Sequence, residues 1–161
     1  MSGRLLIVAV VMAALSGTGY AQAKPPCAVV PKSLAAMKDC YRPLLVFAPN
    51  GDDPRLRRQV ALLDAAADDM MDRFVLFTPI VPDGHRVTTP ADSPYTVLSG
   101  QEMSARRAQF HIAVGDFVVL LLDENGSAML RAPAPVSAER LNAVIDKTPL
   151  RQEEAKRPHA N

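Results

Sequence analysis

Leu44-Leu45-Val46-Phe47-Ala48-Pro49-Asn50-Gly51-Asp52-Asp53-Pro54 decides the fold of this chain. Its first five residues are an unbroken apolar run ending at a proline, the pattern of a strand covered on both faces. Pro49 to Asp53 is turn chemistry. Asp52 or Asp53 then caps a helix whose first residue is Pro54, the position proline prefers. Beyond it, Leu56, Val60, Leu63, Ala67 and Met70 recur at helical spacing as an inner stripe, with Arg55, Arg57, Arg58 and Asp64 mostly outside. A polar cluster thus sits where a buried strand hands over to an amphipathic helix.

Working outward, Phe74 to Ile80 reads as a second strand, stopped by Pro79 and Pro82. Val81 to Ser99 holds Pro82, Pro90 and Pro94 and reads as a long loop, a length often tied to function or disorder. Ser99-Gly100-Gln101-Glu102 has capping-box form and starts a helix running to Gln109 or Phe110. Phe117 to Asp123 is the most apolar strand, and Asn125-Gly126 favours a type I′ hairpin returning through Ser127 to Arg131. Ser137 caps a helix carrying Leu141, Val144 and Ile145, which Pro149 ends. Residues 150–161 read as a charged, solvated tail. Upstream, residues 24–41 form an arm, irregular over Lys24 to Lys32 and then a short helix from Ser33 to Asp39 with Leu34 and Met37 inward. The domain proper spans residues 42–149. This order builds a parallel βαβ unit with a right-handed crossover, then an antiparallel hairpin closed by a helix. The fold class is α/β: a mixed four-stranded sheet with helices on both faces.

The N-terminus carries a location signal. Arg4 is the one charge before an apolar run from Leu5 to Leu15, and Ala21-Gln22-Ala23 follows. A positive start, a short apolar core and an A-x-A site specify a cleaved signal peptide over residues 1–23. The run is short for a bilayer span, which needs about 20 residues. The expected location is periplasmic or secreted, with no stable membrane span after cleavage. Removing Arg4 takes one from the 18 basic residues and balances the 17 acidic ones. With that balance and no basic patch interleaved with aromatics, nucleic acid is not an expected partner.

Both cysteines, Cys27 and Cys40, lie beyond the cleavage site. An even count in an oxidising compartment favours a disulfide. Such a bridge would close a loop of about 14 residues, worth roughly 3 kcal/mol in the chain-entropy model. A redox-active pair is the alternative, although catalytic dithiols are close-spaced at a helix N-terminus, where the dipole stabilises the thiolate. Metal ligation is weaker still, since two cysteines without a nearby histidine make a poor tetrahedral site.

Leu44 to Pro49 followed by Asp52 to Arg55, then Gly115-Asp116-Phe117 leading into a strand, Asn125-Gly126, and Pro135-Val136-Ser137 resemble a family of small secreted bacterial domains of unknown function. That family is similar to the repeated domain of vertebrate extracellular-matrix proteins that carry sushi repeats. The resemblance covers about Arg42 to Glu153. It implies a thioredoxin-like, peroxiredoxin-like fold and no established activity. Thioredoxins follow their first strand with Ala-Pro and then Trp-Cys-Gly-Pro-Cys. Here Ala48-Pro49 is present, and Asn50-Gly51-Asp52-Asp53-Pro54 stands in place of the redox motif. The cis-proline that precedes a later thioredoxin strand has no counterpart in Val114 to Val118. A carboxylate at the helix N-terminus satisfies the same orphan N–H groups as a thiolate, but it cannot attack a disulfide.

The candidate ligand-binding residues are Asp52 and Asp53, at a strand's carboxyl end where α/β sheets bind ligands, and Arg106. The two aspartates could hold a hard cation such as calcium, with N-capping as the plainer role. Arg106 and Arg107 could guide an anion or pair with Asp116, against the simpler expectation of a solvated helix face. His85 beside Asp83, His111 after a helix end and His159 in the tail share no metal-binding spacing. No cofactor and no metal is expected. The leading expectation is a non-enzymatic module that binds a protein or envelope component. A thiol-based oxidoreductase or peroxide-handling enzyme using Cys27 and Cys40 is the alternative.

Overall fold

The computed structural model describes residues 27–82 and 87–156; the expected signal peptide, Asp83, His85 and His159 lie outside them. Along the chain come α1 (Leu34–Met37), β1 (Arg42–Phe47), α2 (Pro54–Asp64), α3 (Ala67–Asp72), β2 (Val75–Ile80), α4 (Gly100–Gln109), β3 (Val118–Leu122), β4 (Ala128–Ala132), α5 (Ala138–Ile145) and α6 (Pro149–Ala155). The sheet order is β2-β1-β3-β4. β1 and β2 are parallel, while β1 with β3 and β3 with β4 are antiparallel. Every residue of β1, β2 and β3 is buried, which requires cover on both faces of the sheet. Only β4 alternates, with Leu130 and Ala132 inside and Ala128 and Arg131 outside. Among the described residues, no helix is long and apolar enough to cross a membrane.

Four local expectations need correction. The helix from Pro54 is two helices, because Ala66 leaves helical geometry at φ −134° and ψ 36° and separates α2 from α3. Pro79 does not stop β2, which continues through it to Ile80. β2 is an edge strand, where a missing N–H costs least; its outer side is bridged once, by Tyr95 at Phe77. The hairpin turn is not type I′, since that needs positive φ at both central residues and here Gly126 (φ 90°) has it while Asn125 does not. The Asp123 carboxylate accepts N–H groups of Asn125 at 2.9 Å and Ser127 at 2.8 Å, and the Gly126 N–H bonds to the Asp123 carbonyl at 3.0 Å. The fourth correction concerns the tail. Pro149 ends α5 but also starts α6, capped by Thr148, and Arg151 is buried rather than solvated.

α6 stays because it completes an ionic cluster at the amino end of β1. The Arg42 side chain is 1% exposed and pairs with Glu124 at 3.3 Å and Glu154 at 3.1 Å, while also donating to the Arg73 carbonyl at 2.8 Å. Arg151 bonds to the Asp72 carboxylate and, at 2.9 Å, to its carbonyl. Arg73 bridges Asp146 at 2.9 Å and Asp69 at 3.2 Å. The cluster joins β1, the β3–β4 turn, α3, α5 and α6. A second clip ties α2 to the segment before α5: the Gln59 amide, fully buried, donates to Val136 O at 3.0 Å and accepts from its N–H at 2.7 Å.

The long loop is anchored in its described part. The Asp64 carboxylate accepts the N–H groups of Ala91, Asp92 and Ser93 at 3.0 to 3.1 Å. Burial alone would raise this carboxyl, yet the three bonds outweigh it and hold the group below its ordinary value.

Removing one partner from a buried ion pair leaves the other desolvated, at a cost of about 3–5 kcal/mol. Arg42→Met is therefore expected to lose that much stability in urea unfolding. The exposed pair of Lys156 with Glu153 sets the contrast: Lys156→Ala is expected to change stability by about 1 kcal/mol or less. Equal effects for the two variants would contradict this account of α6.

Candidate functional site

The carboxyl end of β1 meets the amino end of α2 at Pro49 to Pro54, the edge where open α/β sheets offer their ligand crevice. Asp53, not Asp52, is the N-cap. Its carboxylate is 6% exposed by residue and accepts the Arg55 backbone N–H at 2.8 Å. The Arg55 guanidinium closes onto the same group, Nε to Oδ1 at 3.0 Å and Nη2 to Oδ2 at 2.7 Å. Arg55 also lies over the Phe117 ring, 4.8 Å from its centroid, a cation–π contact. These bonds from Arg55 hold the Asp53 carboxyl below its ordinary value of 3.8, outweighing burial. The helix N-terminus is thus already supplied with an anion and a counter-cation, both from the chain itself. Asp52 is exposed beside it; its N–H bonds to Asn50 Oδ1 at 3.0 Å and its carbonyl accepts Arg57 at 2.6 Å.

Arg107 closes the same edge from above. It is 7% exposed, and its guanidinium donates to the Ala48 carbonyl, to Ile80 O at 3.1 Å and to Ala113 O at 2.7 Å. It also lies 5.7 Å from the Phe47 ring centroid. The expectation of a solvated helix face fails here, because this side chain caps the carbonyl of Ala48, just past β1, and shares that of Ile80 with the Ala48 N–H. Desolvation pulls the guanidinium below its ordinary value, opposed by the charge of Asp116. Asp116 forms no ion pair with Arg106 or Arg107 within bonding distance.

Arg106 goes elsewhere. It lines a cleft of about 270 Å³ with Leu34, Lys38, Pro43 and the Asp123 to Gly126 turn, at the other end of β1 from Asp53. Its Nη1 donates to Gln109 at 2.7 Å, its Nη2 lies 3.8 Å from Glu102, and its buried Nε has no acceptor. The candidate ligand-binding residues Asp52, Asp53 and Arg106 therefore do not converge. His111 sits after α4 with φ 52°, its N–H bonded to Ala108 O at 3.2 Å. Among the described residues no group of three or more His, Cys, Asp or Glu is placed to hold a metal ion.

Cys27 and Cys40 form a disulfide, with Cα atoms 5.7 Å apart. Cys40 lies just before β1, so the bridge sits at the amino end of that strand. It pins the arm together with Tyr41, whose hydroxyl donates to Ala28 O at 2.8 Å, and Thr96, whose hydroxyl donates to Pro31 O at 2.7 Å. The residue that sequence reasoning missed is Gln59, and for Arg107, named there as a possible anion guide, it missed the burial. Gln59 had a usable signal, because it falls on the inner stripe with Leu56, Val60 and Leu63.

Asp53→Ala removes the cap and is expected to cost about 0.5–2 kcal/mol, read by thermal unfolding at neutral pH. Asp52→Ala is expected to stay within about 0.5 kcal/mol. Because the folded Asp53 carboxyl is depressed, its contribution is present above 3.8 and is lost as pH falls through the lower folded value. The gap between wild type and Asp53→Ala should therefore close in acid; a gap that widens there would refute the assignment.

Several solved structures share the fold, among them two from Plasmodium species. One is a thioredoxin peroxidase I of Plasmodium yoelii, 17% identical, matching 78% of this chain and 83% of that chain with a TM-score of 0.54. The other is a reduced 2-Cys peroxiredoxin of Plasmodium vivax, 16% identical, matching 77% and 85% with a TM-score of 0.52. At such identities the likeness is one of fold, which is thioredoxin-like. No curated protein matches the chain. A family model described as a domain of unknown function (DUF4174) matches residues 33–154, most of the sequence, and the chain belongs to that family.

Proposed function

We propose that this chain is an extracytoplasmic thioredoxin-like module, periplasmic or secreted, that binds a protein or envelope component and carries out no thiol chemistry. The observation that carries this reading is the Asp53–Arg55 pair: the position at which the fold would present a reactive thiolate holds a carboxylate with both oxygens bonded to a guanidinium. The placement of the sulfurs supports it. The two cysteines are bonded to each other at the amino end of β1, and that six-residue strand, about 20 Å long, separates them from the turn at Asp53. A disulfide also suits an oxidising compartment. The calcium reading of Asp52 and Asp53 loses support, because Arg55 occupies the Asp53 carboxylate. Asp52 and the Arg106 cleft stay available as ligand contacts. The likeness to the extracellular repeat domain of sushi-repeat proteins rests on sequence motifs.

The thiol-enzyme reading needs a labile sulfur at the carboxyl edge. Equilibration of the purified protein against glutathione and dithiothreitol buffers separates the two. The proposal expects the Cys27–Cys40 couple below about −300 mV, in the range of structural bridges. A value near −120 to −200 mV, that of oxidising and isomerising catalysts, would overturn it.

A further inference from the structure

Among the described residues three arginines are buried: Arg42, Arg107 and Arg151. Arg42 faces Glu124 and Glu154 and Arg151 faces Asp72, so two of the three have a carboxylate at bonding distance. Arg107 has none among the described residues. Its partners are the carbonyls of Ala48, Ile80 and Ala113, which satisfy hydrogen atoms without neutralising the charge. Its Nε is buried and has no acceptor. A cation taken out of water is costly unless paired, and an orphaned buried donor adds to that cost. The group stands at the carboxyl ends of β1 and β2, the crevice edge of the sheet. The rim beside it, Val114 to Asp116, is exposed, and a side chain at Gly115 would meet nothing within 4 Å.

We propose that Arg107 is the cationic floor of an oxyanion site at the carboxyl ends of β1 and β2, taking the carboxylate or phosphate group of a small ligand. This deepens the binding reading and rests on it, by naming the ligand's chemistry at the edge where that reading removes thiol chemistry. The incoming oxygen takes the Nε–H and supplies the charge that the three carbonyls do not. Asp116 is the competing negative charge at the rim: it acts on Arg107 without bonding to it.

The test reads the orphan atom directly. In isotope-labelled protein, the Arg107 Nε–Hε resonance is followed by NMR while acetate, phosphate or chloride is added at constant ionic strength. A saturable shift with acetate or phosphate, and not with chloride, is the expected result. Acetate alone would mark the ligand as a carboxylate, and phosphate alone as a phosphate compound. Asp116→Asn, an exposed change, is expected to tighten binding roughly threefold or more by removing a like charge. Arg107→Lys, which keeps the charge but loses the Nε donor, should abolish the saturable shifts that the same ions produce in the wild type at the backbone amides of the exposed rim, Val114 to Asp116. The proposal is overturned if the resonance moves no more than that of exposed Arg140. It is also overturned if Asp116→Asn leaves the affinity unchanged, or if a shift appears only in Asp83→Asn, which would mean that the chain's own carboxylate serves Arg107. None of these outcomes touches the reduction potential of the disulfide, so the two proposals fail separately.

Discussion

β1 is buried along its whole length, and a strand with no exposed residue must have both its ends closed as well as both its faces. Arginine does this at each end, by different means. At the amino end Arg42 is itself the first residue of the strand, and two carboxylates from distant parts of the chain converge on it. At the carboxyl end Arg107 reaches in from α4 and takes the carbonyls of Ala48, just past β1, and of Ile80, the last residue of β2. The neighbouring elements are arranged around these closures. α6 is held through Glu154 and Arg151, the β3–β4 turn through Glu124, and the segment before β3 through Ala113.

The consequence for chemistry lies in what occupies the α2 N-terminus. Orphan N–H groups and the helix dipole favour an anion there, whatever atom carries it. A thiolate would be a nucleophile; the Asp53 carboxylate is a cap, and its pairing with Arg55 across the Phe117 ring leaves it little freedom to act as a base or a metal ligand. The two sulfurs lie at the opposite end of the strand, where Cys27 and Cys40 staple the arm. The α2 N-terminus is thus filled by the chain's own carboxylate and guanidinium.

The sequence made much of this legible. The Leu44 to Pro54 stretch announces strand, turn and helix by apolarity, turn residues and a proline at the first helical position, and the structure follows it. Ser33, Ser99 and Ser137 mark three helix starts through side chains that cap them. Two of the failures share a cause: a polar side chain takes a long-range partner that local pattern does not encode. Arg107 resembles any arginine in the last turn of an exposed helix until the carbonyls of Ala48 and Ile80 are placed beside it. Arg151 and Glu154 resemble a solvated tail until Asp72 and Arg42 meet them. The hairpin turn follows the Asp123 carboxylate rather than the Asn-Gly pair. In the candidate site, the turn and its cap were readable from residue type; the closing of Arg55 onto Asp53 and the separation of Arg106 from both aspartates required the fold.

The central claim is that the α2 N-terminus is an anion seat now filled by a carboxylate. Its most direct test is the Asp53→Cys variant with the native bridge intact, titrated by thiolate ultraviolet absorbance. The seat and the adjacent Arg55 predict a thiol pKa well below the ordinary value of about 8.5. A pKa at or above that value would mean that burial rules the position, and that the site favours no anion at all.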